Sequence, residues 1–317
     1  MRHLFSRIGV LACCLLLSFP GGAPAAGNEL HISYVKGPFN LQLIVMRERG
    51  ILDKQLEELG LSARWHEINS GPRQAQALAS GDLDIAGAMN STTLLMAAGE
   101  GVPLRAITGI ARPAGLFALA GNAEKAPTLR DLKGKTVSGP VGSVLHQLLL
   151  AVLRAEGMEP GDVTLVNMNI YQSFAALRGG RVDAALLGSG LIDKAEAEGD
   201  VILARAKGHI VPKLFMAASD TLIREHPERL RALLAAHDEA WRWIEANHGE
   251  AVALGAAALN VSPEEAERLF QGSGFTQRIS RDDVRSMEDD MRFLLEAGLM
   301  RGAVDIPALI LPEALEE

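Results

Sequence analysis

Short apolar runs alternate along this chain with longer stretches in which apolar residues recur every three or four positions. The runs at 30–35, 63–68 and 83–88 read as strands, and the intervening stretches at 41–49, 73–80 and 93–98 carry helical spacing. The same order returns downstream, with strands at 136–138, 163–167 and 182–187 and helices at 144–156, 173–178 and 191–198. A short motif fixes the correspondence: Leu78, Gly81 and Asp84 match Leu177, Gly180 and Asp183, 99 positions on. In both copies a helix ends at Gly, the residue that takes the left-handed conformation without a Cβ clash, and an apolar strand follows. Alternating strand and helix predicts parallel pairing with right-handed crossovers. Two copies predict two similar α/β lobes instead of one long sheet.

In open parallel sheets, ligands bind outside the carboxyl ends of the strands. Here those ends are the loops 36–40, 69–72 and 89–92 in the first copy, and 139–143, 168–172 and 188–190 in the second. They are rich in Gly, Ser, Asn and Thr, a composition that turns and caps alone would also produce. The first copy offers Lys36, Gly37, Phe39, Asn40, Ser70, Gly71, Asn90, Ser91 and Thr92 as candidate ligand contacts. The second offers Gly142, Ser143, Tyr171, Gly188 and Ser189. Ser143 would cap the 144–156 helix, and Ser91 or Thr92 the helix at 93–98. Asn40 would open the 41–49 helix, and Ser70 the helix after Pro72. Helix N-termini carry unpaired N–H groups and partial positive charge, so several facing one cleft suit an anionic or polar head group. Arg112, where the chain leaves the first lobe, is a candidate counter-ion; the alternative is a surface arginine beside Pro113.

Length and composition narrow the class. A chain of 317 residues with 48% hydrophobic content can bury one large or two ordinary cores. Aromatic residues make up 4%, too few for a carbohydrate or single-stranded nucleic-acid stacking surface, and no basic tract marks nucleic acid as a partner. Net charge is -8. The N-terminus has the organisation of an export signal: Arg2 and Arg7, an apolar stretch at 8–19, Pro20-Gly-Gly, then small residues around Ala23-Pro-Ala25. The apolar stretch is too short to span a bilayer. Cys13 and Cys14, the only cysteines, lie inside this leader. Lipidation of one of them is the alternative to cleavage near residue 26. The remaining chain then has no disulfide, thiol nucleophile or Cys-ligated zinc.

Catalytic motifs are missing. No Gly-x-Ser-x-Gly elbow, phosphate loop or His-Glu-x-x-His occurs. His237 and His248 share a helical region but stand eleven residues apart, too far for a metal pair. His146, in the first turn of the 144–156 helix, either reaches the cleft or is an ordinary helix-surface histidine, and the second reading is preferred. Carboxylates fall in solvated helix patterns; Glu264 and Asp282 follow the N-cap positions Ser262 and Ser280. No cofactor or metal is expected.

Five stretches carry a family resemblance. They are Ile32-Ser-Tyr-Val-Lys-Gly-Pro38 with Arg49-Gly-Ile-Leu52; Trp65-His-Glu-Ile-Asn-Ser-Gly-Pro72; Ala77-Leu-Ala-Ser-Gly-Asp-Leu-Asp84; Leu129-Arg-Asp-Leu-Lys-Gly-Lys-Thr-Val137; and Phe215-Met-Ala-Ala-Ser-Asp-Thr-Leu-Ile-Arg-Glu-His-Pro227. In this order they resemble the periplasmic substrate-binding proteins of ABC importers, in the group that handles aliphatic sulfonates, taurine, nitrate and thiamine-precursor pyrimidines. The resemblance implies a type II periplasmic-binding fold: two mostly parallel sheets joined by a hinge with two crossings, near 116–120 and 210–217. Lobe 1 would take 27–113 and 213–317, and lobe 2 would take 114–212, with a helical 225–298 region on lobe 1. Trp65 would be core, and Trp241 and Trp243, two apart on a helix, could not both be. The implied partners are a small-molecule ligand and an inner-membrane permease, with the receptor a monomer. Two departures stand out: Met89-Asn-Ser-Thr92 where Gly-Asp or Gly-Thr is usual, and Gly188-Ser-Gly190 where an aromatic-x-Pro is common, a loss of bulk expected to enlarge the pocket. An enzyme on the same fold making the thiamine pyrimidine, with Lys36 as cofactor lysine, and an extracytoplasmic sensor are the alternatives. The export signal speaks against the enzyme.

Overall fold

The computed structural model describes residues 27–316; the leader with Cys13 and Cys14 lies outside the described residues. The chain runs β1 (Glu29–Tyr34), α1 (Leu41–Glu48), α2 (Ile51–Glu57), β2 (Ser62–Glu67), α3 (Gly71–Ser80), β3 (Ile85–Asn90), α4 (Ser91–Gly99) and β4 (Leu104–Ala111). It then crosses to β5 (Phe117–Gly121), β6 (Thr136–Gly139), α5 (Val144–Ala155), β7 (Thr164–Asn167), α6 (Ile170–Arg178), β8 (Ala184–Gly188), α7 (Gly190–Ala197) and β9 (Val201–Arg205). It returns through β10 (Leu214–Ser219) and ends in α8 (Asp220–Glu225), α9 (Pro227–Ala246), α10 (His248–Leu259), α11 (Pro263–Gln271) and α12 (Arg281–Glu296).

Two five-stranded sheets result, ordered β2-β1-β3-β10-β4 and β7-β6-β8-β5-β9. In each, the first three strands are the parallel set that the repeat predicts. The fourth place belongs to the strand that has just crossed over, and it pairs antiparallel to both neighbours. Four of the five strands in each sheet therefore share one direction, and the sheets are mixed only because β5 and β10 each enter from the opposite lobe and run against the resident strands. Helices cover both faces of the first sheet. Leu43, Met46, Leu233 and Ala240 pack on one side, and Leu94, Met287 and Leu294 on the other. The second sheet is covered by Leu148 and Val152 of α5 and, opposite, by Leu177 and Ile192. Trp65, Trp241 and Trp243 are all half-buried. Trp65 sits on β2, an edge strand, which is why it is not core.

The repeat extends to side chains. Asp84 Oδ2 accepts the His31 N–H at 2.8 Å, while its own N–H donates to the His31 carbonyl at 2.9 Å. Asp183 does the same to Thr136, at 2.9 Å in both directions. Each aspartate ties the start of the third strand to the start of the first, and Gly81 (φ 80°) and Gly180 (φ 63°) supply the left-handed turn before it. The motif is thus a register device. Asp84→Ala and Asp183→Ala are each expected to cost about 1–2 kcal/mol by leaving a half-buried N–H unpaired. Urea unfolding of the two single variants and the double checks this, the losses adding because the sites lie in different sheets.

Candidate functional site

Loops at the carboxyl ends of the parallel strands in each half approach elements of the other half. Phe39, after β1, packs its ring 6.5 Å from that of Phe117, the first residue of β5. Gly142, after β6, lies against Met96 of α4, where a Cβ would meet the Met96 Cε at 3.6 Å. Gly190 faces α11, where a Cβ would lie 2.5 Å from Glu265 Oε1. The space left by the small Gly188-Ser189-Gly190 turn is met by a carboxylate from the other lobe.

The loop backbones are pinned in parallel ways. The Lys36 N–H donates to Asn69 Oδ1 at 2.7 Å, and the Val141 N–H to Asn167 Oδ1 at 3.1 Å. Lys36 itself is exposed, whereas Gly37 and Asn40 are buried. Asn40 occupies the cap position, yet its amide donates to the Val35 carbonyl and makes no cap. Its Oδ1 is buried without a partner. Ser70 also stands at a cap position without a side-chain cap bond. Gly71 is required by close packing: a Cβ there would fall 2.6 Å from Thr93 Oγ1, so the starts of α3 and α4 abut.

The cap of α4 differs from expectation. Asn90 is the cap, its Oδ1 accepting from the Thr93 N–H at 2.8 Å and from the Thr92 hydroxyl at 2.8 Å. Ser91 is one residue too late for that role, because β3 runs straight into the helix. Its N–H donates to the Lys213 carbonyl at 3.1 Å and its hydroxyl to Asp290 Oδ2 at 2.7 Å. Ser91 and Thr92 are both buried. Ser143 does cap α5, accepting the Leu145 N–H at 3.2 Å and donating to the Pro140 carbonyl at 2.6 Å. Tyr171, in the first turn of α6, is 65% exposed, and Gly188 is buried. Ser189 holds φ 54°, ψ -139°, a conformation proper to glycine, with its N–H bonded to the Leu116 carbonyl at 2.8 Å. Such strain costs about 1–3 kcal/mol and collects at functional turns.

Arg112 is not a free counter-ion. Its Nε donates to Asp283 Oδ1 at 2.8 Å and its Nη2 to Asp283 Oδ2, which makes a bidentate pair. The hydrogen bond to Asp283 raises the arginine further above its usual range. Burial alone would raise Asp283, but the bonds from Arg112 and the Ser280 backbone outweigh it and hold the carboxyl below its ordinary value. His146 is buried instead of lying on the helix surface. Its Nδ1 accepts the Gly142 N–H at 3.2 Å, and burial lowers its pKa. It also lines a cavity of about 130 Å³ with Leu149, Leu150, Val163, Leu165 and Ala297, apart from the loop set.

Sequence reasoning missed a fully buried lysine. Lys213 is 1% exposed, and its Nζ reaches Asp290 Oδ2 at 2.8 Å and the Val211 carbonyl at 2.9 Å. Gln147 of α5 donates to the other Asp290 oxygen at 2.6 Å. The available signal was a single lysine inside the apolar run 210–218. Among the described residues, no group of three His, Cys, Asp or Glu is placed to hold a metal, and no helix is long and apolar enough to cross a membrane.

Residues 56–251 match the family model described as NMT1/THI5 like. The taurine-binding periplasmic protein of Escherichia coli K12 is 32% identical over 152 residues, covering 46% of this chain and 45% of that protein, about half its length. A Brucella abortus protein described as a candidate binding protein is 28% identical over 264 residues, 81% of this chain and 80% of that one. In three dimensions the chain is similar to the alkanesulfonate-binding protein SsuA of Xanthomonas axonopodis pv. citri, solved bound to MOPS. The TM-score is 0.79 at 20% identity, covering 90% of this chain and 98% of that one. The periplasmic aliphatic sulphonate binding protein SsuA of Escherichia coli gives 0.77 at 21% identity, over 92% and 94%. The likeness to both covers the two sheets and the hinge between them, which makes this a periplasmic-binding-protein fold.

Proposed function

We propose, from the premise that this chain belongs to the NMT1/THI5-like family, that it is the solute-binding component of an ABC importer. The proposed ligand is a small sulfonate or taurine-like anion, captured between the lobes and delivered to an inner-membrane permease. The observation that carries the reading is that strand-end loops of each half meet the other half: Phe39 packs near Phe117, Gly142 lies against Met96 of α4 and Gly190 against Glu265 of α11. In this reading lobe 1 comprises 27–113 and 213–317, and lobe 2 comprises 114–212. The receptor acts in the periplasm as a monomer. Lys36, Gly37, Phe39, Ser70, Gly71 and Asn90 face the ligand from one side, and Gly142, Ser143, Tyr171, Gly188 and Ser189 from the other. Asn40, Ser91, Thr92 and Arg112 hold these loops in place. Capture needs no bond making: the ligand adds contacts to both lobes and favours the closed form. The relatives support this and give no support to the enzyme reading, since they are binding proteins.

Thermal melting against taurine, alkyl and aryl sulfonates, nitrate and carboxylates tests it. A sulfonate at a hundred times its dissociation constant should add about 2.7 kcal/mol, a rise of a few degrees at this size. A panel in which sulfonates leave the melting temperature unmoved would overturn the ligand class.

A further inference from the structure

Helix α12 passes both segments that join the lobes, and one face of it carries a carboxylate for each. Asp283 and Asp290 are seven residues apart and project from the same side as Met287 and Leu294; all four are buried. Asp283 holds Arg112 at the first crossing, and Asp290 holds Lys213 at the second. Asp290 is also reached from both lobes. Ser91, at the start of α4, donates to Oδ2 at 2.7 Å, and Gln147 of α5 donates to Oδ1 at 2.6 Å. Ser91 and Asp290 belong to helices packed together on the first sheet, and Lys213 immediately precedes β10 of that sheet; α5 packs on the second. The Gln147 bond is therefore the one in this cluster that spans the lobes. Two other charged links between them, Arg154–Glu296 at 2.7 Å and Arg268–Asp193 at 3.7 Å, lie at the surface, where water screens them.

We infer that the Gln147–Asp290 hydrogen bond is the latch that keeps the lobes closed, which makes Gln147 a positioning residue for ligand capture. Separating the lobes draws the Gln147 amide off a carboxylate that Ser91 and Lys213 keep in place. The latch thus opens without stranding Asp290. A hydrogen bond to a charged acceptor is stronger than one between neutral groups. Its loss should raise the open-to-closed ratio roughly tenfold or more. Apparent affinity falls with the closed population. That last consequence rests on the ligand-capture reading, whereas the opening itself is a property of the unliganded protein.

Small-angle X-ray scattering of unliganded wild type and Gln147→Leu, both with native melting profiles, is the test. The variant should show a larger radius of gyration and a broadened distance distribution, while Arg154→Ala superimposes on wild type. If Gln147→Leu does not fold, Gln147→Asn, whose amide falls one methylene short, should behave the same way. Superimposable curves for wild type and the Gln147 variant would overturn the latch, as would equal opening by Arg154→Ala. Because no ligand is present, an error in the proposed ligand leaves this result intact.

Discussion

Asp290→Ala should lower the unfolding free energy by roughly 3–5 kcal/mol, the cost of stripping a buried ion of its partner. Lys213 is 1% exposed and lies 2.8 Å from Asp290 Oδ2. Without the carboxylate its ammonium keeps the Val211 carbonyl as its protein hydrogen-bond acceptor in the structure. The Ser91 hydroxyl and the Gln147 amide lose their acceptor in the same step. Coulomb attraction does not by itself make this pair stabilising, because burying both ions is costly. The double variant Lys213→Met with Asp290→Leu should accordingly recover most of the loss. Urea midpoints at neutral pH for the single and double variants decide the matter. A single-variant loss under about 1 kcal/mol would mean that water reaches Lys213.

Acid should unfold this protein partly through His237. The residue is 1% exposed on α9, and its Nε2 has no hydrogen-bond partner. Burial, with a smaller push from Arg278, depresses its pKa from 6.5 to about 4. Above pH 6.5 the imidazole is neutral in both states and costs nothing. Between 6.5 and 4 the unfolded chain binds a proton that the folded chain refuses, so stability falls as pH falls. The full difference is about 3 kcal/mol, at 1.36 kcal/mol per unit. Buried His146 and half-buried His66 are shifted the same way and add to the slope. His237→Leu removes one contribution without touching the others. The difference between wild-type and variant unfolding free energies should change across pH 6.5 to 4 and level off on either side. A flat difference across that window would show that His237 titrates normally.

The two lobes could be read from the sequence because what defines them is local. Apolar period, Gly at a helix end and Asp three residues later are all features of contiguous chain, and the elements they predicted begin and end within a few residues of those observed. The aspartate's task was less legible. Asp84 and Asp183 look like turn residues, and only pairing of the first and third strands gives them an N–H to hold. The loop set was legible as a set, but its members sort by burial, which depends on what arrives from elsewhere. Ser91 and Arg112 were expected to face a ligand, and both are engaged by α12. Nothing near Asp283 or Asp290 signals this, since a helix rich in Asp, Glu and Arg reads as a solvated one until a neighbour covers its Asp283–Met287–Asp290–Leu294 face. The surface reading of His146 failed for the same reason: Pro160 and Val163, just before β7, and Ala297, after α12, close over it from two separate parts of the chain.

The position of α12 near the carboxyl end also bears on how the molecule is made. Asp290 meets Ser91 across 199 residues and Gln147 across 143, and Asp283 meets Arg112 across 171. Synthesis delivers the amino end first, so both sheets and both crossings leave the ribosome before the helix that fastens them. Until then the halves are joined but unbraced, and bonds this distant in sequence form slowly. Helix α12 therefore fastens the hinge late: the braces on both crossings form only in a chain that already extends past Asp290.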